Sequence, residues 1–256
     1  MLICFGMTEC NSSKSPMQAN PEKQENDDGE VIIEIKPYRE LVGCLMFFML
    51  NTRPDISVTI NYYSRFQNNA KLIYWKGLKR VLQYIRGTLD YGLLFKRGLD
   101  SETLQVYVDA NWATDNNRKS TTGFLLQVFG STVAWSMKKQ TGITLSSTEA
   151  EYVALATVLT EAIWLKGLLE DFNVNSAYPI AVFEDNQSVI HLLSRWEHRR
   201  LKHVDVKYNF VRNMYQSKEI NMHYVNIKEQ AADILTKSFT GDQFVKLRSY
   251  NGVCKV

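Results

Sequence analysis

The chain has 256 residues, 45% of them apolar, enough for one sizeable domain with an appended piece or for two small domains. Its 30 basic and 27 acidic residues leave a net charge of only +3, so a nucleic-acid partner must be argued from clustering and not from overall charge. Cys4, Cys10, Cys44 and Cys254 are scattered without a CxxC pair, which excludes a zinc-finger pattern and a disulfide framework and fits a reducing compartment.

The start, MLICFGMTEC, lacks a basic lead and a long apolar run, and the apolar run CLMFFML is far short of a bilayer span. Neither secretion nor membrane insertion is expected. The abrupt apolar start looks like a cut inside a larger protein. From Asn11 to Glu30 the chain is polar, carries Pro and Gly and has no apolar period, which reads as a loop. YRELVGCLMFFML then reads as a helix, TRPD breaks it, and Asp55 is placed to cap a second helix in DISVTINYYSRF. A third helix repeats Leu72, Trp75, Leu78, Val81, Leu82 and Ile85 at helical spacing and ends at Gly87. Its other face carries Lys76, Lys79, Arg80 and Arg86, which fits either a phosphate-tracking surface or an ordinary solvated face.

Beyond this the period changes to two. LQVYVD, TGFLLQVF and TVAWSM predict three antiparallel strands, with Gly130 and Ser131 as a two-residue hairpin turn. A long helix is expected from Thr148 to Glu170, then a strand IAVFED, helices near 187–194 and 203–216, a strand EINMHYVNI and closing helices. An antiparallel meander followed by alternating strands and helices implies an α/β fold, a mixed sheet covered by helices. Trp112 and Trp164 read as core or sheet-edge packing.

Four acidic residues stand at informative places. Asp109 ends the alternation of YVDANWA. Glu151 lies on the helical stripe of Leu155, Val158, Ala162, Leu165 and Leu169, where a charge needs a partner. Thr148 with Glu151, or Ser146 with Glu149, could each form a capping box, and the sequence permits either. Asp185 ends the strand IAVFED, beyond whose carboxyl end ligands gather in α/β sheets, although helix capping would also place an Asp there. Asp233 sits in EQAADILTK, where alone it would be a surface helix residue. Jointly they describe an all-oxygen site for Mg²⁺, or Mn²⁺ in its place, that could hold two ions about 4 Å apart for phosphodiester cleavage.

YVDANWA, RKSTTGF, SSTEAEY, EDNQS, LKHVDVKYNFVR and AADILTK, in this order, closely resemble the ribonuclease H domain of copia-type retrotransposon polyproteins. Upstream, FGMTECNSSKSPM, YRELVGCLMFFMLNTRPDI and LKRVLQYIRGTLDYGL resemble the end of a reverse transcriptase and its connection. The resemblance implies a ribonuclease H-like five-stranded mixed sheet over residues 101–240, preceded by a helical reverse-transcriptase remnant over 1–100 and followed by a tail over 241–256. It implies two-metal hydrolysis of the RNA strand of RNA–DNA hybrids, with Asp109, Glu151, Asp185 and Asp233 as catalytic metal ligands and no small-molecule cofactor. Asn111 departs from the usual second Asp of its strand. No palm aspartate pair precedes Asp109, so this stretch is not expected to polymerise DNA. A polymerase portion of a related Pol protein is an expected partner. The cytoplasm or virus-like particles, with access to the nucleus, is the expected location.

SRWEHRRLKHVDVK gathers Arg195, Arg199, Arg200, Lys202 and Lys207, which read as phosphate contacts to the hybrid or as a solvated loop, with the resemblance favouring the first. His198 and His203 have a zinc-like spacing but no cysteine pair beside them, so zinc is rejected. The other class of reading is a non-catalytic nucleic-acid-binding or interaction module that has kept the fold.

Overall fold

The computed structural model describes residues 1–18, 35–97, 103–113, 117–174, 179–194 and 205–256. They divide into two compact units, residues 1–94 with 237–256, and residues 95–236. In chain order the elements are α1 (Ile35–Asn51), α2 (Ser57–Ser64), α3 (Leu72–Arg86), β1 (Tyr91–Leu93), β2 (Leu104–Asn111), β3 (Thr121–Val128), β4 (Ser131–Lys139), α4 (Ser147–Asp171), β5 (Ile180–Glu184), α5 (Gln187–Ser194), α6 (Asp205–Gln216), β6 (Ile220–Tyr224), α7 (Gly241–Tyr250) and β7 (Val253–Lys255). Short 3₁₀ helices occupy Pro54–Ile56, Ile227–Glu229 and Ala231–Leu235.

The first unit buries Leu41 and Leu45 of α1, Ile56 and Ile60, and Leu78, Val81, Leu82 and Ile85 of α3. In the first turn of α3 the buried residue is Tyr74, while Leu72 stays 41% exposed. Asp55 does not cap α2. Its carboxylate is taken by Arg53, whose Nε and Nη2 donate to Oδ1 and Oδ2 at 2.9 and 2.8 Å, and by the Tyr84 hydroxyl. A bidentate partner two residues away outcompetes a backbone cap, because ionised pairs form the stronger hydrogen bonds. The basic face of α3 is also partly used: Arg80 donates to Ser15 Oγ at 3.3 Å and Arg86 to the Thr8 carbonyl at 2.8 Å, fastening the N-terminal segment.

Residues 241–256 are not a loose appendage. α7 and β7 belong to the first unit, where β7 runs antiparallel to β1 with Leu93 opposite Val253, and the Arg248 guanidinium lies 4.5 Å from the Tyr91 ring centroid.

The second unit is an α/β fold built on a five-stranded mixed sheet of order β4-β3-β2-β5-β6. β2, β3 and β4 are antiparallel, whereas β5 pairs in parallel with β2 and β6. The expected alternation holds in β2: Leu104, Val106 and Val108 point into a core shared with Leu155, Val158, Leu159 and Ala162 of α4. α5 adds Val189 and Leu193, and α6 adds Val211 and Met214. α4 is, among the described helices, the one long and apolar enough to cross a membrane, and half of that window is buried in this core.

The β3–β4 turn is Phe129–Gly130, one residue earlier than the sequence pattern predicts. Both residues take positive φ, +50° and +70°, and Val128 pairs with Ser131. A two-residue turn with positive φ at both positions matches strand twist, and only the second position received a glycine.

β3 is buried on both faces, by α4 on one and by the 3₁₀ helix Ala231–Leu235 on the other. Gly123 makes the second contact close: a Cβ there would run into Thr236 Cγ2, Leu235 Cβ and the Ala232 carbonyl. Gly123→Ala is therefore expected to cost about 1–3 kcal/mol by overpacking. Thermal denaturation should show the midpoint falling by several degrees; an unchanged midpoint would mean that the 3₁₀ helix yields freely.

Candidate metal centre

Each element end delivers one carboxylate. Asp109 stands near the end of β2 opposite Gly123 and is 1% exposed. Glu151 is buried one turn into α4, and Asp185 follows β5 directly, half-buried. Ligand oxygens of Asp109, Glu151 and Asp185 all lie within 4.8 Å of one another. The chain thus brings together residues far apart in sequence through the parallel β2–β5 pair and the helix that crosses it.

Competing local uses of these carboxylates are taken by neighbours. Ser146 Oγ accepts from the Glu149 N–H at 3.1 Å, and Glu149 Oε2 reaches back to the Leu145 N–H at 2.6 Å. The cap of α4 is therefore the earlier pair, with Glu151 available to the cluster. At α5, Asn186 Oδ1 accepts from the Ser188 N–H at 3.0 Å, so Asn186 and not Asp185 performs the capping.

Asp233 is not a member of that three-carboxylate group. It is 1% exposed on the 3₁₀ helix Ala231–Leu235, which is tied to the end of β2 by reciprocal bonds. The Thr236 hydroxyl donates to Asp109 Oδ2, and Asn111 Nδ2 donates to the Thr236 carbonyl at 3.0 Å. The Asn that replaces the expected acid thus serves as a donor that fastens this helix. Of the basic residues, Lys207 is exposed on α6; Arg195, Arg199, Arg200 and Lys202, together with His198 and His203, lie outside the described residues.

Three contributors escaped the sequence reading: Gln230, Thr236 and Glu184. Glu184 had a signal, because the alternation of IAVFE turns it inward with Ile180 and Val182. It is fully buried; Oε1 accepts from the Asn186 N–H at 3.0 Å and Oε2 has no hydrogen-bond partner. Burial, reinforced by the charges of Asp185 and Asp109, raises its pKa well above the usual carboxylate range, against the opposing bond from Asn186. A carboxyl whose pKa is higher folded than unfolded binds more protons in the native state between those values, so its contribution is full at low pH and lost as pH rises. Glu184→Gln is expected to flatten the fall of the thermal midpoint with increasing pH. An identical pH profile would contradict a carboxyl whose pKa rises on folding.

Among the described residues the donor set is all oxygen, borne by carboxylates and gathered within a few ångströms, which fits a hard divalent cation. A five-stranded mixed sheet with such a carboxylate cluster at the carboxyl ends of its parallel strands defines an α/β domain with a candidate divalent-metal centre. No protein-family profile matches the sequence. The Pol polyprotein of transposon RE2 of Arabidopsis thaliana is 34% identical over 258 positions, covering 100% of this chain and 18% of that protein. The secreted RxLR effector protein 161 of Plasmopara viticola is 43% identical over 130 positions, 50% of this chain and 91% of that one. The chain belongs to the family of retrovirus-related Pol polyproteins, and it spans less than a fifth of the length of the transposon relatives it matches. Among solved structures, a ribonuclease H1 isolated from compost is 17% identical with a TM-score of 0.42, over 53% of this chain and 93% of that one, a likeness too coarse to bear on chemistry.

Proposed function

We propose that the second unit hydrolyses the RNA strand of RNA–DNA hybrids with two divalent ions. The observation that carries this reading is the convergence of Asp109, Glu151 and Asp185 within 4.8 Å. Divalent cations held there would activate water and stabilise the leaving oxygen of a phosphodiester. The protein's own part is to hold the carboxylates. Asp109 is oriented by the Thr236 hydroxyl, Glu151 by the capped first turn of α4, and Asp185 by its place at the end of β5, next to the Asn186 that caps α5. Asp233 completes the proposed ligand set from the 3₁₀ helix that Thr236 and Asn111 fasten to β2. Lys207 and the neighbouring basic residues are proposed to grip phosphates, and the 2′-hydroxyls to distinguish RNA from DNA.

The test is incubation of the purified chain with end-labelled RNA–DNA hybrid, double-stranded RNA and double-stranded DNA, each with Mg²⁺ or with a chelator. Cleavage of the hybrid's RNA strand alone, requiring metal and weakening with added salt, is the expected result. Metal-independent binding without cleavage would replace this reading with a non-catalytic nucleic-acid-binding module.

A further inference from the structure

The parallel ladder between β2 and β5 has Cα partners Gln105 with Ala181, Val106 with Val182 and Tyr107 with Phe183, and its register ends there. Just beyond, one side chain takes over. Gln230 Nε2 donates to the Val108 carbonyl at 2.9 Å and to the Phe183 carbonyl at 3.2 Å, bridging the two strands. Its Oε1 accepts from the Ala232 N–H at 3.3 Å and caps the 3₁₀ helix that carries Asp233. The side chain is fully buried. A primary amide supplies two donors on one nitrogen and an acceptor on the same plane, which no carboxyl, hydroxyl or ammonium offers.

What stands next to these bonds gives them their importance. Asp109 follows Val108 by one residue, and Asp185 follows Phe183 by two. Carboxylates gathered within 4.8 Å repel one another, and that repulsion acts to splay the strand ends that bear them. We infer that Gln230 is a positioning residue that clamps the ends of β2 and β5, fixing the separation of Asp109 and Asp185 and thereby the affinity of the centre for divalent cation. This inference rests on the metal reading proposed above. It goes beyond that reading by assigning the set-point of the site to a neutral side chain that touches no ion.

The deciding experiment is a Mn²⁺ titration of the full chain, followed by the electron paramagnetic resonance signal of free Mn²⁺, in wild type and Gln230→Met. Methionine has similar length and no donors. Loss of an outer-shell orienting bond weakens metal binding by roughly 10–100-fold, and that is the expected shift. Val211→Ala, in the core of the same unit and on α6, which carries none of the proposed ligands, serves as a destabilised control and should bind Mn²⁺ as wild type does. Should Gln230→Met lose its cooperative thermal transition, Gln230→Asn carries the same comparison, since it stays neutral and polar but is one methylene shorter than the side chain that bridges both carbonyls. Wild-type affinity in the variant that folds, or an equal loss in Val211→Ala, would overturn the positioning role alone. Absence of Mn²⁺ binding by wild type would overturn the metal reading and this inference with it.

Discussion

Replacing Asp109 with Asn is expected to abolish metal-dependent cleavage and, at the same time, to make the metal-free protein more stable. The side chain keeps its shape, and the Thr236 hydroxyl can still donate to the amide oxygen that takes the place of Oδ2. One negative charge leaves a group whose oxygens lie within 4.8 Å. Repulsion between two ionised carboxylates at that distance is on the order of a few kcal/mol at an effective dielectric near 20, although local screening and proton uptake lessen it. A net gain of about 1–2 kcal/mol, or several degrees in thermal midpoint, is expected in chelator. Mg²⁺ should reverse the ranking. A ligand at a hundred times its dissociation constant stabilises by about 2.7 kcal/mol, and only the wild type has the full proposed ligand set. Cleavage by Asp109→Asn should fall by more than the roughly 100-fold seen for outer-shell changes. Equal midpoints for the two proteins in both chelator and Mg²⁺ would argue that the carboxylates are no metal centre.

The second large effect concerns stability and lies in the first unit. Asp55→Ala is expected to cost about 3–5 kcal/mol, because it strands the buried Arg53 guanidinium. It also removes the acceptor of the Tyr84 hydroxyl, whose pKa is pushed up by burial first and by the Asp55 charge second. Arg53 still reaches Thr88 Oγ1 at 2.9 Å, which softens the loss without neutralising the charge. Urea denaturation should show a large drop in midpoint with little change in slope. Replacing both members, Arg53→Met with Asp55→Leu, should recover much of it, since a buried pair removed whole leaves no uncompensated charge. A single substitution costing less than about 1 kcal/mol would show that water reaches Arg53.

The sheet was legible because local pattern and tertiary environment agree along it. β2, β3 and β4 alternate or run apolar over eight or nine residues and carry the β-branched and aromatic side chains that favour strands. Glu151 was legible for a related reason: an acid on an apolar helical stripe is anomalous, and the structure places it in the carboxylate cluster. Asp55 misled because a cap and a buried ion pair present the same residue after the same break, and the competitor, Arg53, differs only in geometry. The β1–β7 pair could not be seen at all, since three-residue strands have no period and their partners lie far apart in the chain. Gln230 and Thr236 were invisible for the same physical cause. Their partners, Val108 and Asp109, are more than a hundred residues away, and an amide or hydroxyl gives no sequence signal of which distant group it will meet.

The β1–β7 pairing also constrains how the protein comes into being. On a ribosome, β1 emerges before the second unit and must wait with one edge unmatched until that unit has been synthesised and β7 follows. The second unit, whose strands are complete by then, is free to fold first. The first unit closes after the second, across the long separation between β1 and β7, where loop closure is slow. Its helices accordingly spend the longest time incompletely covered, and that interval is where chaperone engagement and misassembly would concentrate.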